Sequence, residues 1–223
     1  MGMWLRHGLL AVAGALALLE GVCLGAIPLP ELGPLGGMPL EQALASRRSV
    51  RSFGDEPLSL FDLSRLLWAA GGTTHPRGYR TAPSAGALYP VDVYAVVRRV
   101  HGLTPGVYLY RPLGHSLEPV KLEEVSRALS SAALGQAWVE EAPLCLVVVA
   151  FYDRSRVKYG ERGVRYSTLE AGHVAQNVLL QAVSLGLGAV PVGAFRDGEV
   201  VSLLGLPRGA SPLYIIPVGR PKS

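Results

Sequence analysis

The stretch from Thr168 to Leu185 constrains this chain more than any other. Ala171, Val174, Ala175, Val178, Ala182 and Leu185 recur at helical spacing, and Leu179 and Val183 widen the stripe. An apolar face that broad must be covered by other elements, so the spacing predicts a long helix central to the fold. Just upstream, Leu144–Phe151 (LCLVVVAF) has no polar position, which predicts a strand buried on both faces. Val91–Val97 alternates as a strand, and Gly106–Tyr110 and Ser116–Val120 flank a turn at Pro112–Gly114 as a hairpin. Helices are expected after Pro39 (LEQALA), from Ser59 with Asp62 as its capping-box partner, over Leu122–Leu134, and from a cap at Asp197. A short strand is expected within Gly186–Phe195 and a closing one over Pro212–Lys222. Helices and hairpins mix without βαβ alternation, which gives an α+β fold. No G-x-G-x-x-G stands at a strand-to-helix turn, so a Rossmann site is not expected.

The N-terminal part differs in character. Residues 1–27 carry Arg6, an unbroken apolar run from Gly8 to Leu19, and then Glu20. That is the pattern of a signal peptide, or of a short membrane anchor through residues 8–27. With the flanking cation on the N-terminal side, the charge rule places the domain outside the cytoplasm; a cytoplasmic protein is the alternative if the segment is no signal. Residues 28–37, rich in Pro and Gly, read as a flexible linker, and the globular domain spans 38–223. Cys23 and Cys145 provide no disulfide framework, and no Cys/His cluster has metal-ligand spacing. Lysine plus arginine number 21 against 17 acids, yet residues 1–46 hold Arg6 as their one base, so the basic excess begins at Arg47. That suits an anionic small ligand. Aromatic content of 7% and the lack of a dense Lys/Arg run speak against a nucleic-acid partner.

The excess starts in Arg47–Phe53 (RRSVRSF), with three arginines, two serines, and Val50 and Phe53 interleaved. Arginine offers a planar fork to phosphate oxygens and serine a short hydroxyl donor, while the apolar pair anchors the segment in a core. A solvated arginine-rich turn is the plainer alternative. The long loop Thr74–Pro90 carries glycine and alanines that let backbone approach a flat ligand closely.

Four separated stretches, RRSVRSF, APSAGALYP, GLGAVPVGAF and PVGRP, together resemble the flavin-dependent nitroreductase superfamily, and EAGHVAQNVLLQA resembles its central helix. KYGERGVRY (Lys158–Tyr166) and the ALYP form of the second motif resemble its SagB/ThcOx branch, which includes azoline dehydrogenases of peptide-modification pathways. The resemblance covers about residues 38–222. It implies an FMN enzyme with a central, mostly antiparallel sheet flanked by helices, and a homodimer with FMN at the subunit interface. Carried over, Arg47, Arg48 and Ser49 hold the phosphate and ribityl chain, Arg51 approaches the N1 edge of the ring, and Arg220 closes the phosphate site. Pro83, Ser84 and Gly86 line the ribityl and pyrimidine side from the partner subunit. Pro191, Val192, Gly193 and Ala194 lie against the ring near N5. The pattern departs at Ala87 and Tyr89, where many members have Asn and Gln. Lys158 is the implied catalytic base, with Tyr159 orienting the substrate or sharing the proton; an exposed lysine in a charged stretch is the alternative. Lysine can lose its proton in a protein environment where arginine does not. The implied activity is hydride transfer through flavin N5, as azoline or related dehydrogenation of a small-molecule or peptide substrate. Competing readings are a nitro or quinone reductase with NAD(P)H as electron donor, and a domain that only binds flavin or a partner.

Overall fold

A computed structural model of the protein describes residues 25–34 and 36–222. A seven-stranded sheet, antiparallel at every pairing, forms its middle layer. The strands are β1 (Ile27–Pro28), β2 (Val91–Val97), β3 (Gly106–Arg111), β4 (Ser116–Lys121), β5 (Leu144–Phe151), β6 (Gly188–Ala189) and β7 (Ala210–Gly219), in the order β1-β4-β3-β2-β5-β7-β6. The fold is α+β, with the antiparallel sheet and long helix the sequence predicts.

Alternation along β5 explains the layers. Leu144, Leu146 and Val148 point to one side, against the helices α2 (Leu60–Gly71) and α6 (Arg162–Ser184). Cys145, Val147 and Val149 point to the other, against α3 (Ser126–Ala132), α4 (Ala137–Glu141) and α7 (Asp197–Leu203). A strand covered on both faces has no position for a polar side chain, and LCLVVVAF contains none. Burial at Cys145 pushes its thiol far above the usual range, so it packs as an apolar group.

The helix α2 starts as its sequence requires: Ser59 Oγ accepts from the Asp62 N–H at 3.0 Å, and the Asp62 carboxylate accepts from the Ser59 N–H at 3.1 Å. Ser59→Ala should lower stability by about 1 kcal/mol, read as the urea midpoint at unchanged m-value. The short helix expected after Pro39 is found at Leu40–Ser46, while other helices depart from expectation at their ends. The α6 helix begins at Arg162, earlier than Thr168, and it is preceded by α5 (Tyr152–Tyr159), a helix on the charged stretch. Gly160, with φ of 56°, turns one into the other. The α3 helix is shorter than Leu122–Leu134, because the Glu124 carboxylate caps the Ser126 N–H and Leu134 and Gly135 turn left-handed. Asp197 lies inside α7, with Arg196 at the cap position. In Gly186–Phe195 only Gly188–Ala189 pairs as strand; Pro191 has no N–H for the ladder, and one isolated bridge joins Val192 to Ile215.

The described residues of 28–37 stay out of helix, as their prolines require, yet they are docked on the domain. Ile27 and Pro28 pair with Leu117 and Ser116 of β4. The Ser64 hydroxyl donates to the Pro30 carbonyl, and Arg65, only 8% exposed, donates to the carbonyls of Leu32, Pro34 and Gly36. Among the described residues no helix is long and apolar enough to cross a membrane. The signal or anchor expected over 1–27 lies, as far as residue 24, outside the described residues, as does Cys23.

Candidate functional site

The first cluster forms where the beginning and end of the domain meet. The helix α1 (Leu40–Ser46) ends with Arg47 in extended backbone, its N–H donating to the Ala43 carbonyl. The chain then crosses the β6 and β7 ends. Ser49 bridges to Ala189, the Gly54 N–H donates to the Arg220 carbonyl at 3.0 Å, and the Lys222 N–H to the Ser52 carbonyl at 3.1 Å. Phe53 is buried in the core, and Val50 packs so closely that a side-chain carbon on Gly188 would sit 2.7 Å from it. These apolar anchors leave Arg48, Ser49 and Arg51 exposed and Arg47 half-buried. Arg220 is exposed and pairs with Glu56 at 3.3 Å, a surface contact worth little by itself. Among the described residues, Arg47, Arg48 and Arg51 belong to no ion pair. Arg51 lies 5.8 Å from the Trp138 ring. Nearby, Val192 is buried while Gly193 and Ala194 are exposed, and Gln136 fixes the turn by donating to the Ala194 carbonyl at 3.0 Å. Among the described residues the Gly193 and Ala194 N–H groups donate to no backbone acceptor. Unpaired guanidinium forks beside open backbone donors can hold a phosphate and an anionic ring edge.

The second cluster is built on Pro83–Tyr89. Asn177 of α6 donates to the Thr81 carbonyl, and the Ser84 hydroxyl accepts from the Tyr89 N–H at 2.9 Å. Between them Gly86, Ala87 and Tyr89 have φ of 64°, 55° and 45°. Two non-glycine residues in the left-handed region carry strain of about 1–3 kcal/mol each, so the surroundings must hold them there. Arg80 stacks 4.2 Å over the Tyr89 ring, and Arg154 donates to the Tyr89 carbonyl while its fork is bound by Asp92 at 2.7 and 2.8 Å. Lys158 and Tyr159, at the end of α5, stand over Gly86. A side-chain carbon there would lie 2.6 Å from Tyr159 Oη and 3.0 Å from Lys158 Nζ, so glycine is what lets both tips reach the motif. Tyr159 is set by an edge contact with Tyr166 at 5.1 Å, and Lys158 Nζ lies 5.4 Å from the Tyr159 ring centroid.

One member of this cluster escapes the sequence reading. Glu170 sits on the buried side of α6, 5% exposed, with Oε2 lacking any hydrogen-bond partner. Burial pushes its carboxyl up to about 7, and the Ser84 side chain and Arg80 guanidinium, which favour the carboxylate, offset only part of that. The signal was available as an acid at position 170, one residue before Ala171 in the apolar stripe.

The two clusters lie at opposite ends of α6. Gly86, Lys158 and Tyr159 gather at its N-terminal end, and Arg47–Phe53 at its C-terminal end beside Gly188. That helix has 23 residues, about 34 Å at 1.5 Å per residue. One copy of the chain therefore brings Ser84, Gly86, Lys158 and Tyr159 together, and separately Arg47, Ser49, Arg51, Arg220 and the Pro191–Ala194 turn.

Comparison with known proteins gives the same answer along most of the chain. Residues 44–220 match the profile of the nitroreductase family. A nitroreductase-like protein of Methanocaldococcus jannaschii is 49% identical over 181 residues, 81% of this chain and 90% of that one. The microcin B17-processing protein McbC of Escherichia coli is 31% identical over 170 residues, 71% of this chain but only 61% of that protein's length. Among solved structures, a nitroreductase-like protein of Ralstonia eutropha superposes with a TM-score of 0.79 at 35% identity, covering 91% of this chain and 92% of that one. With this fold and a family match over most of its length, the chain belongs to the nitroreductase family.

Proposed function

We propose that the protein is an FMN-dependent oxidoreductase of SagB/ThcOx type that works as a homodimer. The observation that carries this reading is the convergence of Lys158 and Tyr159 on Gly86, a base and a proton donor set over a turn that a side chain would fill. The cofactor fits the residues present. The unpaired Arg47 and Arg48 with Ser49 and Arg220 would hold the phosphate, Arg51 would stand at the ring's anionic edge, and the Gly193–Ala194 donors would lie near N5. Since these groups gather beyond the C-terminal end of α6 and Gly86, with Lys158 and Tyr159, near its N-terminal end, the arginines of one copy would face the turn of the second. FMN bound there supplies hydride acceptance at its N5. The chain's own residues do the rest: Lys158 takes the carbon-bound proton, and Tyr159 orients the substrate or shares that proton. The kinship with a microcin-processing protein supports a ring within a peptide as substrate, with dehydrogenation of an azoline or a related heterocycle as the reaction.

The test begins with the absorbance spectrum of the purified protein and an FMN titration. A flavin spectrum is expected, as is a thermal stabilisation of about 2.7 kcal/mol at a hundredfold excess over Kd. Colourless protein that gains no stability from FMN overturns the assignment. Arg51→Gln should then lower the flavin's reduction potential by roughly 30–60 mV while changing affinity less, because a fixed cation favours the reduced, anionic ring. Loss of binding with an unchanged potential in the residual holoenzyme would contradict the role given to Arg51. The 49% identity to a nitroreductase-like protein favours a second reading, NAD(P)H-dependent reduction of nitro compounds or quinones. Bleaching of the flavin by NADH or NADPH in stopped flow decides between the two directions.

A further inference from the structure

Glu170 has no part in the chemistry just described, yet it underlies the turn on which that chemistry stands. The Tyr89 N–H donates to Ser84 Oγ, and the Ser84 side chain lies against the Glu170 carboxyl. Glu170, whose buried Oε2 has no hydrogen-bond partner, lines a cavity of about 20 Å³, room for one water, together with Arg80, Tyr89, Asp92 and Tyr110. From these observations we infer that Glu170 is a positioning residue: through Ser84 its carboxyl sets the left-handed Gly86–Tyr89 turn beneath Lys158 and Tyr159. What the link needs is an acceptor for the Ser84 hydroxyl, not a charge. The inference rests on the proposed function only for what the turn is used for.

The groups facing Glu170 fix the direction of its pH dependence. From the loop come Arg80, Ser84 and Tyr89; from β2, Asp92, whose charge is committed to Arg154 of α5; from β3, Tyr110, which burial keeps neutral. Among the described residues, Arg80 is thus the one cation left to answer an ionised Glu170. It is itself partly desolvated and stacked on Tyr89. An ionised carboxyl is therefore better served by water, which reaches it when the turn lifts. Because the closed state holds the proton up to about pH 7, above the usual carboxylate range, the turn is firmest below that pH and loosens as pH rises through it.

Hydrogen exchange of the full chain without flavin, followed in a peptide spanning 81–90 and corrected for the intrinsic rate, tests this. Wild-type protection should fall roughly tenfold between pH 6 and pH 8. Glu170→Gln, an uncharged acceptor of the same shape, should keep the pH 6 protection at both. Glu170→Ala should be unprotected at both. A peptide from 174–182 reports whether the core is intact; if Glu170→Ala loses it, Ser84→Ala cuts the same link from the other side. A flat wild-type profile, or a Gln variant that behaves as Ala, overturns the inference. A flat profile in protein that binds FMN tightly would overturn this inference and leave the cofactor assignment standing. The expected profile in protein that binds no FMN would do the reverse.

Discussion

Replacing Lys158 with Met should lower turnover by roughly 10²–10⁴-fold while leaving FMN affinity within a few-fold of wild type. Lys158 is exposed, takes part in no ion pair among the described residues, and directs Nζ at the Gly86 turn instead of out along the charged face of α5. Neighbouring arginines on the same helix are occupied: Arg154 with Asp92, and Arg156 with Asp153 and Glu161. Single-turnover reduction of the bound flavin by substrate isolates the step. Lys158→Arg should fail to restore it, because a guanidinium keeps its charge at any working pH. Wild-type rates in both variants would show that Lys158 is only a surface cation.

Gly163→Ala should be the most damaging single methyl group in the functional half of the protein. The added carbon would lie 2.7 Å from the Ser155 carbonyl carbon and 2.8 Å from the Arg156 nitrogen. Both are backbone atoms, which cannot swing aside as a side-chain tip can. The methyl therefore forces α5 away from α6, breaking the Ser167–Ser155 hydroxyl contact and carrying Lys158 and Tyr159 off the turn. Overpacking of this kind costs about 1–3 kcal/mol, a fall in Tm of roughly 2–4 °C for each kcal/mol in a chain of this size. Gly172, on the same helix with nothing within 4 Å, provides the control. There the same substitution should stabilise, by up to about 1 kcal/mol of helix propensity. If the two variants melted alike, the tight approach of α5 to α6 would be refuted.

The sequence was informative wherever one physical demand dominated. Strand β5 was legible to the residue because burial on both faces leaves an unbroken apolar run, and β2 because its β-branched and aromatic residues alternate around Asp92. The start of α2 was legible because a capping box is a local contract between Ser59 and Asp62. By contrast, α5 and the first turns of α6 are charged and cover little apolar surface, so no stripe marked them; what holds them is the close backbone contact at Gly163. Residues 28–37 showed Pro and Gly, which exclude helix but do not distinguish a free strand of chain from one pinned by Arg65. At the site, the division of RRSVRSF into anchors and exposed donors followed from residue type. The meeting of Lys158 with Gly86, 72 positions apart, is a product of topology and was reachable from the sequence only through the family resemblance. Glu170 was hidden for a different reason: an acid bordering an apolar stripe looks like an edge of the helix until burial shows otherwise.

The docking of residues 27–36 bears on how safely this domain can exist at high concentration. A six-residue outer strand such as β4 presents unpaired N–H and C=O groups, an open template for another molecule's strand. Ile27–Pro28 covers its Ser116–Leu117 end, and Pro28 cannot donate a hydrogen bond outward to continue the ladder. The opposite margin is only the two residues of β6, already engaged by Ser49. A protein trimmed to begin at residue 38 would bare the β4 margin and strip three carbonyls from Arg65 in one cut. The Pro/Gly segment thus guards part of the outer margin of β4 against pairing with another strand.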